Sequence, residues 1–345
     1  MIESKAGGQG AWLVPARGRH LWSIVLAGGE GERTRDFVRA RFGVDKPKQY
    51  CTFIGRRSLL QHTVDRADHM ISPERRVIVA ARHHRLELER QMASRPRGTL
   101  LFQPRNLGTA PGVFLPLARV LASDPGATVV VLPSDHFVRP ERRFLETMSR
   151  ALAVNRRLDG RPLVIGVVPD RPETEYGWIE AGIRLPSTPC AEVSSVTRFV
   201  EKPPHDTAVR ILRRGGLWNT SIVIAKAERL WQLGWRHLLE IMPVFATLRA
   251  LFARKPPGIL EGNLELLYSQ LPSRDFSRDL LEPAASELAV MKLDACSWSD
   301  WGSPGRITES LEAIGRQSPR ALALETSPRF QPPATGVLRG QDVSV

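Results

Sequence analysis

The chain has 345 residues, 42% of them hydrophobic and 7% aromatic, which is enough for one large globular domain or a domain with an appendage. Its formal net charge is +13, but the arginines are spread through nearly every segment, which indicates solvated helix faces rather than a nucleic-acid-binding stripe. No apolar run reaches the ~18 residues of a membrane span, and residues 1–20 lack the apolar core of a signal peptide. We therefore expect a soluble cytoplasmic protein with no nucleic-acid or membrane partner.

The cysteines indicate the same compartment. Cys51, Cys190 and Cys296 stand far apart, with no C-x-x-C pair. Such isolated thiols are typical of reduced side chains in a reducing compartment.

From Leu21 onward, short apolar strands alternate with helices. The strands predicted in the first half are Ser23–Ala27, Arg76–Ala81, Thr99–Phe102 and Thr128–Leu132, with helices over Ser58–Met70, 84–93 and Thr109–Leu121. This alternation predicts an α/β fold, with a Rossmann-like, mostly parallel mixed sheet that has helices on both faces. Ligands of such sheets bind at the carboxyl ends of the strands.

The second half is more mixed. Its predicted strands are Leu163–Val168, Trp178–Ala181, Val193–Val200, Asn219–Ala225 and Leu288–Leu293, with helical segments at 206–214, 227–252 and Ser303–Arg316. A break at Pro256-Pro257-Gly258 divides the chain. We expect a flexible N-terminus (1–20), a main catalytic domain (21–255), a small C-terminal subregion that completes the site (256–316) and a mobile tail (317–345).

A glycine-rich loop follows the first strand, with the sequence LAGGEGER over Leu26–Arg33. Glycines let backbone N–H groups approach phosphate oxygens, and Arg33 adds a forked cation suited to a triphosphate. The loop is neither a dinucleotide fingerprint nor a P-loop, and alone it is equally typical of an ordinary strand-to-helix turn. Lys46 and Lys48 follow it and stand out because lysine is scarce in this chain.

Two aspartates are candidate metal ligands. Asp135 follows the strand Thr128–Leu132, and Asp300 lies much later, in Trp-Ser-Asp-Trp-Gly. Mg²⁺ prefers one or two carboxylates together with substrate phosphates, although either residue could instead stabilise a turn. The adjacent residues Ser134, Asp135 and His136 cannot converge as a catalytic triad. The pair His83-His84 has no third ligand at a metal-binding spacing, which favours ordinary polar positions.

Polar residues that could bind a sugar phosphate occur in the second half. Glu201 and Lys202 end the strand Val193–Val200: a carboxylate accepts hydrogen bonds from sugar hydroxyls, and an ammonium group pairs with phosphate. Asn219 offers both a donor and an acceptor, and Gly177 would let the backbone approach the sugar ring. Without further context an exposed Glu-Lys pair is more often a surface feature.

Several segments, in the same order, resemble the sugar-phosphate nucleotidyltransferase family, most closely its mannose-1-phosphate guanylyltransferases. They are LAGGEGER followed by PKQY, QPRNLGTAP (Gln103–Pro111), PSDH (Pro133–His136), PDRPETEYGWI (Pro169–Ile179), FVEKP (Phe199–Pro203), WNT (Trp218–Thr220) and WSDWG (Trp298–Gly302). The likeness covers residues 21–315 and implies a nucleotide-diphospho-sugar transferase fold. Glu175 stands where the family often has Gly, and Gln103 stands where it usually has Glu.

The resemblance also implies roles for residues. The catalytic set would be Arg33, Lys48 and Asp135, with Mg²⁺ held by Asp135 and Asp300. The nucleotide would contact Leu26, Ala27, Gly28, Gly29, Gly31, Gln103, Gly108, Thr109 and Ser134, and the sugar phosphate would contact Gly177, Glu201, Lys202 and Asn219. The implied reaction joins GTP and mannose 1-phosphate into GDP-mannose and pyrophosphate.

Other functions stay open on the sequence alone. Another sugar or base, such as glucose 1-phosphate with UTP or dTTP, would fit the same residues. A sugar-nucleotide sensor without catalysis would keep the fold but not need the cations and carboxylates, and a nucleic-acid-binding protein is suggested by charge alone. The oligomeric state is open too, a homodimer included.

Overall fold

One mixed sheet organises the computed structural model, which describes residues 18–186, 192–254 and 260–317. The strands are β1 (Leu21–Leu26), β2 (Arg76–Ala81), β3 (Thr99–Gln103), β4 (Thr128–Pro133), β5 (Phe137–Arg139), β6 (Leu163–Val167), β7 (Gly177–Arg184), β8 (Val193–Glu201), β9 (Leu217–Lys226), β10 (Ala289–Lys292) and β11 (Ser297–Ser299). The α-helices are α1 (Arg35–Phe42), α2 (Leu59–Met70), α3 (Arg85–Met92), α4 (Thr109–Ser123), α5 (Glu141–Asn155), α6 (His205–Arg213), α7 (Ala227–His237), α8 (Met242–Arg254), α9 (Leu260–Tyr268) and α10 (Pro304–Gln317).

Parallel strands form one half of this sheet. The strand order is β3-β2-β1-β4-β9-β6-β10-β8-β7. Strands β3, β2, β1 and β4 are parallel, so their carboxyl ends share one edge, whereas β9 runs antiparallel to β4 and brings its amino-terminal end to that edge. A separate antiparallel ribbon pairs β5 with β11.

Successive strand residues point to opposite faces, which builds a hydrophobic core on each side of the sheet. Ile24 and Val131 belong to the core covered by α4, α7 and α8, and their neighbours Val25 and Leu132 belong to the core covered by α2 and α5. A third, smaller cluster packs α1 and α10 around the fully buried Trp301. The predicted α/β sheet with helices on both faces is confirmed.

Some elements differ from the sequence expectations. Helices α1, α5 and α9 and both strands of the ribbon were not predicted. The helical segments predicted over 227–252 correspond to helices α7 and α8. Helix α2 begins where expected because Ser58 forms a capping box with Gln61.

Cys51 and Cys296 are free thiols, as expected. The expectations for the first 17 residues, Pro256–Gly258, Cys190 and the tail beyond residue 317 lie outside the described residues. Across the described ranges, every helix is too short or too polar to traverse a bilayer.

Candidate active site

The β5–β11 ribbon brings two distant aspartates to one place. Its antiparallel register pairs Ser299 with Phe137. Asp300, which follows Ser299, and His136, which precedes Phe137, therefore lie together at the end of the ribbon. Asp135 comes directly before this point and just after β4, at the carboxyl edge of the parallel strands. The two predicted metal ligands therefore converge, although they lie in opposite halves of the sequence.

Lys48 joins the two aspartates. Its Nζ lies 3.1 Å from Asp135 Oδ2 and donates hydrogen bonds to the main-chain oxygens of Asp300 and, at 3.0 Å, Trp301. The residue is only 6% exposed. An ammonium group has three donors, and these three acceptors use them all. Lys48 therefore fixes the position of both aspartates.

Both carboxyl groups are held in the ionised form. Burial raises the pKa of Asp135, but the nearby Lys48 ammonium group outweighs it, so the pKa lies below its usual range. The same balance of burial against Lys48 and Arg306 lowers the pKa of Asp300. Two ionised carboxylates at a shared point suit a hard divalent cation such as Mg²⁺, so the side chains present fit that ion.

Asp300 is oriented through one of its two oxygens. Its Oδ1 accepts from Tyr176 Oη at 2.9 Å, Arg306 Nη1 at 2.9 Å and the main-chain N–H of Gly302 at 2.8 Å. Its Oδ2 lies 4.0 Å from Arg33 Nη2, toward the glycine-rich loop. The donors thus hold Oδ1, and Oδ2 is the oxygen that faces the phosphate side.

His136 is a buried neutral neighbour of Asp135. Burial lowers its pKa, and Trp298 Nε1 donates to its Nδ1 at 3.3 Å, which leaves the ring proton on Nε2, 3.7 Å from Asp135 Oδ1. The Ser134 hydroxyl is buried without a hydrogen-bond partner among the described residues. This geometry agrees with the sequence argument against a triad.

The glycine-rich loop is held through its carbonyl groups. Gln49 Nε2 donates to the main-chain oxygens of Gly29 at 2.7 Å and Ala27 at 3.3 Å, and Tyr50 Oη donates to Ala27 at 3.2 Å. Gly31 has φ 66°, and a Cβ there would come within 3.2 Å of Pro47 Cα. Glycine is therefore required where the loop passes over the Lys48 turn.

Two cavities meet at Arg33. The first, of about 430 Å³, is lined by Glu30, Gly31, Glu32, Arg33, Thr34, Lys48, Asn106, Asp135 and Gly302. The second, of about 190 Å³, includes in its lining Leu26, Arg33, Thr109, Gly177, Glu201, Lys202, Asn219 and Asp300. The first thus contains the predicted phosphate-binding groups, and the second contains the predicted sugar-side groups.

The sugar-side residues are brought together by strand register. Gly177 pairs with Glu201 across β7 and β8, and a Cβ at Gly177 would lie 2.5 Å from Glu201 Oε2 and 3.2 Å from Asn219 Cβ. Burial and then the charge of Asp275 raise the pKa of Glu201 to about 7. Lys202 adopts φ 50°, a left-handed conformation that is uncommon for a residue other than glycine.

Six predicted nucleotide contacts do not line these cavities: Ala27, Gly28, Gly29, Gln103, Gly108 and Ser134. Gln103 is 4% exposed, lies beneath Gly28 and accepts a hydrogen bond from Tyr268 Oη at 3.3 Å. It thus supports the loop from below. Cavity size alone would not have identified the site, because a larger cavity, of about 750 Å³, contains none of the predicted site residues.

Comparison with known proteins assigns the chain to a family. The family model for nucleotidyl transferases matches residues 22–316. The chain belongs to the nucleotidyl transferase family. It is 29% identical over 81% of its length to the alginate biosynthesis protein AlgA of Pseudomonas aeruginosa, covering 56% of that protein. It is 31% identical over 60% of its length to a mannose-1-phosphate guanylyltransferase of Salmonella montevideo, covering 43% of it.

A solved structure supports the same fold. The crystal structure of a mannose-1-phosphate geranyltransferase from Thermus thermophilus superimposes with a TM-score of 0.65 at 27% identity, covering 82% of this chain and 76% of that one. The chain spans little more than half the length of the first curated relatives it matches.

Several residues of the site were not predicted from the sequence. Gln49, Tyr176, His136 and Arg306 contact the predicted residues but received no role. Tyr176 and His136 lie within recognised segments, so their position next to Gly177 and Asp135 was a usable signal. Arg306 lies outside the recognised segments, six residues after Asp300, and binds Asp300 at 2.9 Å and Glu173 at 2.7 Å.

Proposed function

We propose that this nucleotidyl transferase joins GTP to mannose 1-phosphate, producing GDP-mannose and pyrophosphate with Mg²⁺ on Asp135 and Asp300. One observation carries the proposal. Lys48 Nζ pairs with the Asp135 carboxylate and donates to the main-chain oxygen of Asp300, at the junction of a cavity lined by Gly31 and Gly302 and a second cavity that contains Glu201, Lys202 and Asn219. Relatives named mannose-1-phosphate guanylyltransferase support the choice of substrates.

The reaction is an in-line displacement. A phosphate oxygen of the sugar 1-phosphate forms a bond to the α-phosphorus of the nucleotide, and the bond to the β-phosphate oxygen breaks, so that pyrophosphate leaves with the electron pair. No general base is needed because the attacking phosphate is already anionic. Catalysis then depends on position and charge.

Each side chain has a task in this scheme. Arg33 lies where both cavities meet and would neutralise charge on the reacting phosphates. Lys202 would pair with the sugar phosphate, while Glu201 and Asn219 accept from or donate to hydroxyl groups. Lys48 acts mainly as a positioning residue, because its three donors are already used. Bound Mg²⁺ would supply charge neutralisation at the phosphates.

Pyrophosphate release tests the proposal directly. With GTP, mannose 1-phosphate and Mg²⁺ we expect turnover that falls about 10²- to 10³-fold in Asp135→Ala, the usual loss when one electrostatic stabilising group is removed. Asp206→Ala is the control, because Asp206 is 91% exposed on α6. Normal turnover by Asp135→Ala would refute the metal assignment.

The choice of substrates is tested with a panel of nucleotides and sugar 1-phosphates. Gln103 in place of the usual Glu supports testing UTP and dTTP beside GTP, and glucose 1-phosphate beside mannose 1-phosphate. A preference for another pair would replace the substrates but keep the reaction. Binding without pyrophosphate release from any pair would favour the sensor.

A further inference from the structure

A second group of potential metal ligands lies beside the glycine-rich loop. His83 and His84 follow β2 on a short 3₁₀ turn, and Glu30 belongs to the loop that follows β1. Because β1 and β2 are adjacent and parallel, both segments leave the same edge of the sheet. Sequence spacing hid this arrangement, since Glu30 is 53 residues from His83.

The three side chains point their ligand atoms at one place. Glu30 Oε2 lies 3.0 Å from His83 Nε2 and 3.7 Å from His84 Nε2, and all three ligand atoms lie within 4.8 Å of one another. Ligands of a tetrahedral ion with bonds of about 2.0–2.1 Å are separated by roughly 3.3 Å. The two oxygen-to-nitrogen separations bracket that value, so both histidine nitrogens already lie close to ligand spacing from the Glu30 carboxylate.

Packing orients the more buried histidine. The His84 ring makes an edge contact with Tyr50, with centroids 5.5 Å apart, and its side chain is 11% exposed. Its Nδ1 is buried, so the opposite nitrogen, Nε2, is the one that meets Glu30. His83 is 60% exposed and its ring lies 4.1 Å from that of His84, which gives access from solvent.

We propose that Glu30, His83 and His84 bind a borderline transition-metal ion of the Zn²⁺ class. Two imidazole nitrogens and one carboxylate suit Zn²⁺, whereas Mg²⁺ prefers oxygen ligands throughout. Three protein ligands leave a fourth position for a solvent molecule. Glu30 also lines the cavity of about 430 Å³, so the ion would fasten the glycine-rich loop to the end of β2.

Calorimetric titration of the full chain with Zn²⁺, beside Co²⁺ absorption spectroscopy, tests the site without any enzyme assay. We expect one Zn²⁺ per chain, with affinity reduced at least about tenfold in Glu30→Gln and in His83→Ala, the lower end of the loss usual for a disturbed metal site. Bound Co²⁺ should give the intense visible bands of a low-coordinate ion, and these bands should be lost in Glu30→Gln and His83→Ala.

Two control variants separate this site from other ligands. His205→Ala removes an equally exposed histidine, 68% exposed on α6, and Asp135→Ala removes a carboxylate from the candidate active site. Both control variants should still bind one Zn²⁺ per chain. The proposal fails if no Zn²⁺ binds, if Glu30→Gln and His83→Ala bind it unchanged, or if Asp135→Ala alone removes it. None of these outcomes depends on the proposed reaction.

Discussion

Arg33 Nη1 lies 2.6 Å from Glu175 Oε2, so the cation of the glycine-rich loop is paired with a carboxylate from the sugar side. Both side chains are about half exposed, and both line the smaller cavity. A triphosphate that uses Arg33 must therefore compete with Glu175.

Glu175→Gln should lower the KM for the nucleotide by removing this competition. Exposed ion pairs contribute about 0.2–1 kcal/mol, which corresponds to roughly a 1.4- to 5-fold change. Steady-state kinetics of pyrophosphate release measure it. Glu192→Gln is the control, since Glu192 pairs with Arg184 on the surface. If Glu175→Gln lowers the nucleotide KM by the same factor when Arg33 is already replaced by Ala, Glu175 acts through a group other than Arg33.

Lys48→Met should destabilise the fold and weaken the response to Mg²⁺. The substitution leaves Asp135 and two main-chain oxygens without their buried partner. Because the Asp135 side chain is 33% exposed, we expect a loss of about 1.5–3 kcal/mol, the usual contribution of a hydrogen bond to a charged group. Urea unfolding with and without Mg²⁺ measures both effects. Lys46→Met is a matched control two residues away, because Lys46 is 28% exposed and pairs with Glu87; it should cost less than about 1 kcal/mol. Equal losses in the two variants would contradict the assigned role.

The parallel half of the fold could be predicted from sequence because its strands are continuous apolar runs that end at glycine or polar residues. The pattern is clearest in β4, where Val129, Val130, Val131 and Leu132 are all buried. The ribbon could not be predicted this way, because β5 and β11 have three residues each, too few to show a period. Yet that ribbon brings Asp300 to Asp135.

The residues of the candidate site divide in the same way. Glu201 and Gly177 were predicted from local motifs, and the β7–β8 register places them side by side. The contacts that hold the site depend on long-range packing: Tyr176 donates to Asp300 across 124 residues of sequence, and Glu30 reaches His83 from the neighbouring strand end. No local pattern encodes such pairs.

Gly108→Ala should destabilise the start of α4. Gly108 has φ 90° and ψ −179°, a conformation almost restricted to glycine, and a Cβ would collide with the main-chain oxygen of Arg274. We expect a loss of at least about 2 kcal/mol in urea unfolding. Gly262→Ala is the control: Gly262 lies within α9, where a Cβ would meet nothing within 4 Å, and the variant should gain about 0.5–1 kcal/mol. A neutral Gly108→Ala would refute the steric argument.

The free energy of unfolding of the Glu201→Gln variant should increase relative to that of the unsubstituted protein as the pH rises. The folded-state pKa of Glu201, about 7, exceeds its ordinary value of 4.5, so between these values the folded state keeps a proton that the unfolded state has released. Stability therefore falls with rising pH in this window, and Gln removes that contribution. From pH 5 to pH 8 we expect the stability difference between variant and unsubstituted protein to grow by about 2 kcal/mol in urea unfolding. Asp275→Asn removes the second cause of the raised Glu201 pKa, so it should reduce the loss of stability with rising pH only in part. If the stability difference between Glu201→Gln and the unsubstituted protein does not change with pH, Glu201 is already ionised in the folded protein at pH 5.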